Sequence, residues 1–134
     1  MSLGKLLYEG KGKQTQLRIL NANGAAEASG NDHGKFKEID LESTNFWTVS
    51  TVFESDGTEI GQGNGMVFAQ DGQIVNYTAS FTGKPKKSGR SIRGSLSFQT
   101  DSQGILSSLD DAVAVLEFDS DADQNYSLKL WEWK

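Results

Sequence analysis

Apolar and polar positions alternate with a period of two wherever the chain has a clear pattern. Val75, Tyr77, Ala79 and Phe81 alternate with Asn76, Thr78, Ser80 and Thr82, as in a strand with one buried face. Ile92, Gly94, Leu96 and Phe98 alternate in the same way with Arg93, Ser95, Ser97 and Gln99. On these two strands Tyr77, Phe81 and Phe98 are expected to point inward, and Asn76, Thr78 and Arg93 outward.

The same reading extends along the chain. A long first strand is expected from Lys5 to Leu20, with Gly10 and Gly12 permitting a bend or bulge. The segment "NANGAAEASGNDHG", Asn21 to Gly34, reads as a mobile loop, and Phe36 to Glu42 as a short strand. Phe46 to Ser55, Glu59 to Gln70 and Ile74 to Thr82 then form consecutive antiparallel strands. Asp56-Gly57 and Asp71-Gly72 supply the positive φ that tight hairpins require. "GILSSLDDA" reads as one helical turn, and Ala112 to Asp119 pairs with Tyr126 to Trp133 across an acidic tip. About eight short strands with hairpin links predict an all-β fold with little helix. A single antiparallel β-barrel is favoured over a sandwich, because closure removes exposed edges.

Gly61, Gly63 and Gly65 in "GQGNG" raise the question of a phosphate-binding loop. Such loops lie between a strand and a helix, whereas here the glycines alternate within a strand that continues through Met66 to Ala69. Glycines at every second position leave one face open, so this pattern predicts room for large side chains from a neighbouring strand.

With 134 residues the chain has the size of one domain, 1–134, and with no cysteine it excludes disulfides and thiolate metal sites. A cytoplasmic location fits that composition. No apolar run is long enough for a membrane helix, and the first residues lack the pattern of a secretion signal. A net charge of −5 opposes general nucleic-acid binding, so neither a membrane nor a nucleic acid is expected as partner. Charge is unevenly spread. Lys84, Lys86, Lys87, Arg90 and Arg93 crowd "KPKKSGRSIR", while Asp101 to Asp123 holds seven acids and no base.

Candidate chemistry is sparse. "DSDADQN" lacks the glycine and glutamate of an EF-hand loop and reads as a hairpin tip of solvated acids. His33 is the one histidine, with no second histidine or cysteine to share a metal and no nucleophile elbow beside it. No metal or other cofactor is expected, and no catalytic set can be named. The basic segment Lys84 to Arg93 reads as a connection at one barrel end, in which Arg90 or Arg93 is a candidate anion clamp. Aromatic residues are the better guide to a ligand, since barrels of about eight strands either fill their interior or hold one small molecule. Trp47, Tyr77, Phe81, Phe98 and Trp131 are the candidate ligand-binding aromatics, with Arg93 and Glu117 as polar partners.

From Gly61 onward the chain resembles the allene oxide cyclase-like barrel superfamily. The strand "GQGNGMVFAQDG", the polar-aromatic strand "VNYTASFTG" and "GRSIRGSLSFQT" followed by a final strand carry the likeness. The resemblance implies an antiparallel barrel with a central cavity. The plant cyclases act through a buried glutamate that has no counterpart placeable here, so it does not carry an activity over. Three functions remain open: a barrel that binds a small apolar or amphipathic molecule, a cyclase- or isomerase-like enzyme using a buried carboxylate, and a non-catalytic interaction module. For the enzyme, Glu54 and Glu117 are the candidate carboxylates, Glu117 sharing a parity with Val113 and Val115 that competes with Ala112, Ala114, Leu116 and Phe118. On the last strand Leu128 and Leu130 occupy one face and Trp131 and Trp133 the other, so one set needs a cover outside the barrel. A homo-oligomer is expected to provide it, with the Asn21 to Gly34 loop as the competing lid.

Overall fold

A computed structural model describes residues 3–133. Its elements are β1 (Leu3–Ile19), β2 (Ala25–Phe36), β3 (Leu41–Phe53), β4 (Glu59–Ala69), β5 (Ile74–Lys86), β6 (Gly89–Gln99), a 3-10 helix (Ile105–Leu109), β7 (Val113–Ser120) and β8 (Asn125–Trp133). Each strand pairs antiparallel with the next, and β1 pairs with β8. The result is the all-β, eight-stranded closed barrel that the two-residue period predicts, with no free sheet edge between the paired strands. Among the described residues no helix is long and apolar enough to cross a membrane.

The hairpin chemistry is as read from sequence. Gly57 and Gly72 have φ of 88° and 93°. The preceding aspartates fold each turn, Asp56 accepting from Thr58 N–H at 2.9 Å and Asp71 from Gln73 N–H at 3.2 Å. Register follows the alternation on β5 and β6: Tyr77 opposes Phe98, and Phe81 opposes Gly94. Val75, Tyr77, Phe81, Leu96 and Phe98 are buried, while Asn76 and Thr78 are exposed.

Three expectations are corrected. The segment read as a loop from Asn21 to Gly34 is mostly β2, hydrogen-bonded to β1 and β3 along its length. Its inward positions are Ala26, Ala28, Gly30 and Asp32, too small or too polar to announce a strand. Phe36 to Glu42 is not a strand either. Phe36 ends β2, a turn follows, with Asp40 at φ 51°, and Leu41 begins β3. The segment Lys84 to Arg93 also holds less connection than expected, since β5 continues to Lys86 and β6 begins at Gly89.

The two barrel ends differ. At the end holding the β2–β3, β4–β5 and β6–β7 connections, the 3-10 helix inserts Leu106 and Leu109 into a core containing Val67, Val75 and Phe98. Burial of each such side chain is worth roughly 1.5–3 kcal/mol, so this half is a packed plug. At the opposite end β1 bulges between Gln14 and Gln16, and its ladder with β8 stops at Lys13 opposite Asn125. Beyond the bulge β1 pairs with β2 only and stands above the rim.

Candidate functional site

The inward glycines create the interior surface. A Cβ added at Gly65 would fall within the Tyr77 ring, one at Gly61 within the Phe81 ring, and one at Gly30 against the Trp47 indole. Each aromatic therefore lies across the strand beside its own. This is the steric role the glycine triplet predicts. At Gly10 and Gly12 the β1–β2 register runs without a bulge, and their missing side chains leave space that Asp32 fills.

Asp32 is fully buried at 0% exposure, and three uncharged donors hold it. Tyr8 Oη–H donates to Oδ1 at 2.6 Å, while Tyr126 Oη–H at 2.6 Å and Asn45 Nδ2–H at 2.8 Å donate to Oδ2. The network extends outward, since Trp47 Nε1–H donates to Tyr126 Oη at 2.8 Å and Tyr77 Oη–H to Asn45 Oδ1 at 2.7 Å. Burial pushes the Asp32 carboxyl above its ordinary range, and the three hydrogen bonds pull against that shift. Burial also raises the Tyr8, Tyr77 and Tyr126 phenols, with the Asp32 charge adding to each, so all three keep their protons.

Above this polar floor lies a cavity of about 80 Å³, partly open to solvent. Its wall is nearly all apolar, made by Trp47, Val49, Phe81, Leu116, Phe118 and Leu128 among others. Trp47 and Tyr77 belong both to the wall and to the network beneath it. Trp47 meets Phe118 edge to face with centroids 5.9 Å apart, and Phe118 stacks on Tyr126 at 4.3 Å. Leu17 and Ile19 oppose the inward Ala28 and Ala26 in register, yet are 51% and 67% exposed, so they give the mouth an apolar lip.

One side of the mouth is closed by an ion pair. Glu59, 5% exposed, receives Arg90 Nε–H at 2.5 Å and Thr51 Oγ1–H at 3.0 Å. Arg90 also donates to Gly57 O at 2.7 Å and stands over the Phe53 ring at 5.2 Å. The candidate anion clamp thus grips a carboxylate of its own chain.

The sequence-derived candidates divide between inside and outside. Trp47, Tyr77 and Phe81 line the cavity together. Phe98 lies in the core of the plugged half, its ring 6.3 Å from that of Tyr77. Arg93, Glu117 and Trp131 sit together on the outer wall, where Arg93 pairs with Glu117 at 3.6 Å and Trp131 Nε1–H donates to Glu117 at 2.6 Å. The parity of β7 runs through Ala114, Leu116 and Phe118 inside, which leaves Glu117 outside. Glu54 is exposed in the β3–β4 turn. Asp32, Asn45, Tyr8 and Tyr126 carry the interior polar chemistry and were not singled out by sequence. The alternation of Ala26, Ala28 and Gly30 leads to Asp32 but has too little hydrophobic contrast to single it out.

Two solved structures share the whole fold. A conserved protein of unknown function from Rhodopseudomonas palustris is similar with a TM-score of 0.77 at 11% identity, the match covering 98% of each chain. A protein of unknown function from Clostridium acetobutylicum is similar with a TM-score of 0.78 at 10% identity, over 100% of each chain. At such identity the likeness is one of fold. Neither a protein-family model nor a curated protein sequence matches the chain.

Proposed function

We propose that the barrel binds a small apolar or amphipathic molecule in its lumen. The observation that carries this reading is the apolar cavity of about 80 Å³ lined by the Trp47 and Tyr77 rings and partly open to solvent. The resemblance to allene oxide cyclase-like barrels supports the same use of the lumen. Toluene is a suitable probe, and nuclear magnetic resonance of the indole N–H groups a suitable readout. Titration should move the Trp47 signal while that of Trp133, exposed on the outer wall, stays in place. No movement of Trp47 at saturating toluene would overturn the reading.

The enzyme alternative rests on Asp32, the buried carboxyl beneath the cavity, in place of Glu54 or Glu117. Binding is preferred over it because both Asp32 oxygens are engaged by protein donors and the rings of Trp47 and Tyr77 stand at the cavity wall. Self-association through the outer wall belongs to the same proposal, since Leu3 and Trp133 oppose each other in register and are both exposed. With β2 built into the wall, the Asn21 to Gly34 segment is not a lid for them. Sedimentation equilibrium tests the association, and a monomer at tens of micromolar protein would overturn it.

A further inference from the structure

We propose that Gln14 is the polar recognition point of the cavity, and that the ligand it selects is a small uncharged molecule with an apolar body and one neutral oxygen. The inference rests on the lumen being a binding site and goes on to say which end of the ligand lies where.

The deep wall has no hydrogen bond to offer. The Trp47 and Tyr77 donors are both committed to the network beneath, and no buried side-chain nitrogen or oxygen among the described residues lacks a partner. A polar group pushed to the floor would lose water and gain nothing, so the apolar end of a ligand enters first.

At the rim the situation reverses. Two residues with side-chain amides, Gln14 and Asn64, border the cavity, and Asn64 has the outward parity of Thr48 and Thr78, its ladder partners. Gln14 opposes the inward Gly30 in register. Its backbone is fixed where the β1–β8 ladder stops, its N–H donating to Gln124 O at 3.0 Å. Its side-chain amide makes no hydrogen bond to any described residue, which leaves one acceptor and two donor hydrogens for a ligand.

A carboxylate would find no partner in the cavity: none of its lining residues is charged, and Arg90 is already committed to Glu59 and Gly57. A water-sized group needs about 10–15 Å³, so a cavity of about 80 Å³ accepts a body of about five to eight non-hydrogen atoms. Benzyl alcohol fits that description.

The test compares toluene, benzyl alcohol and benzoate by calorimetric titration on the wild-type chain and on Gln14→Leu, with Gln14→Ala as a second variant. Gln14→Leu is expected to weaken benzyl alcohol about three- to tenfold, the usual worth of one hydrogen bond, and to leave toluene unweakened. Benzoate should bind the wild type more weakly than benzyl alcohol. Equal benzyl alcohol affinity in the wild type and both variants, or benzoate binding as tightly as the alcohol, would overturn the role of Gln14 while toluene binding upholds the lumen. Failure of toluene itself on the folded wild type would overturn the lumen reading.

Discussion

The ring of Tyr77 occupies the space above Gly65, its partner across the β4–β5 ladder, and its hydroxyl reaches Asn45 on the strand beyond. A side chain at position 65 and the present position of that ring are mutually exclusive. Gly65→Val should therefore displace Tyr77 and break its hydrogen bond, at a cost of roughly 1–3 kcal/mol or more. Gly63→Val should destabilise by a similar amount, because its Cβ would meet the Val49 side chain and backbone. Urea denaturation of both variants measures this, and an unchanged midpoint for Gly65→Val would contradict the ring placement.

Asp32 ties stability to pH with a definite sign. Its carboxyl ionises above the ordinary 3.8 in the folded chain, so the folded state keeps the proton over a range where the unfolded chain has lost it. The contribution of Asp32 is then fully present below the unfolded value and is lost as pH rises through the folded one. Relative to Asp32→Asn, wild-type stability should decline as pH is raised from about 4 towards neutrality. Denaturation curves of the two proteins across that range, subtracted, show the slope. Asp32→Ala should be much worse than Asp32→Asn at every pH, because it leaves three buried donors unpaired.

The same residue shows where the sequence was legible and where it was not. β5 and β6 announce themselves because their inward positions are large and apolar and their outward ones are polar. The inward face of β2 is built of alanine, glycine and one aspartate, so its alternation carries almost no hydrophobic contrast and resembles a loop. What makes those positions inward is bulk supplied by other strands: the Trp47 ring over Gly30, and the Tyr8 and Tyr126 hydroxyls on Asp32. That information lies up to 94 residues away in sequence, beyond the reach of any local period. Glu117 illustrates a second limit. Both faces of β7 are apolar, and only its pairing with β6 and β8 selects the inner one.

Arg90 and Glu59 form a pair whose halves are unequal when separated. Arg90→Ala should cost about 3 kcal/mol, since it strands a buried carboxylate. Adding Glu59→Gln should recover part of that loss. Thermal unfolding of Arg90→Ala and of the double variant reads the difference, and a double variant no more stable than Arg90→Ala would contradict the stranded carboxylate.

Leu106 is the test of the plugged end. Leu106→Ala should destabilise by about 2–5 kcal/mol while leaving toluene binding intact, because the residue packs in the half of the barrel that does not hold the cavity. Loss of binding with retained stability would place the cavity on the wrong side of the Asp32 network.

Seven of the eight strand pairings join neighbours in the chain, and the eighth brings Leu3 opposite Trp133. Hairpins between neighbours close small loops and form quickly, whereas the last seam must wait until β8 exists and has found β1. Of all the ladders it carries the largest entropy of loop closure. During synthesis β1 consequently keeps one unpaired edge until β8, the last of the eight strands, is made. The time for which that edge stays open, rather than the strength of any one contact in the finished barrel, governs how readily two nascent chains can pair by mistake.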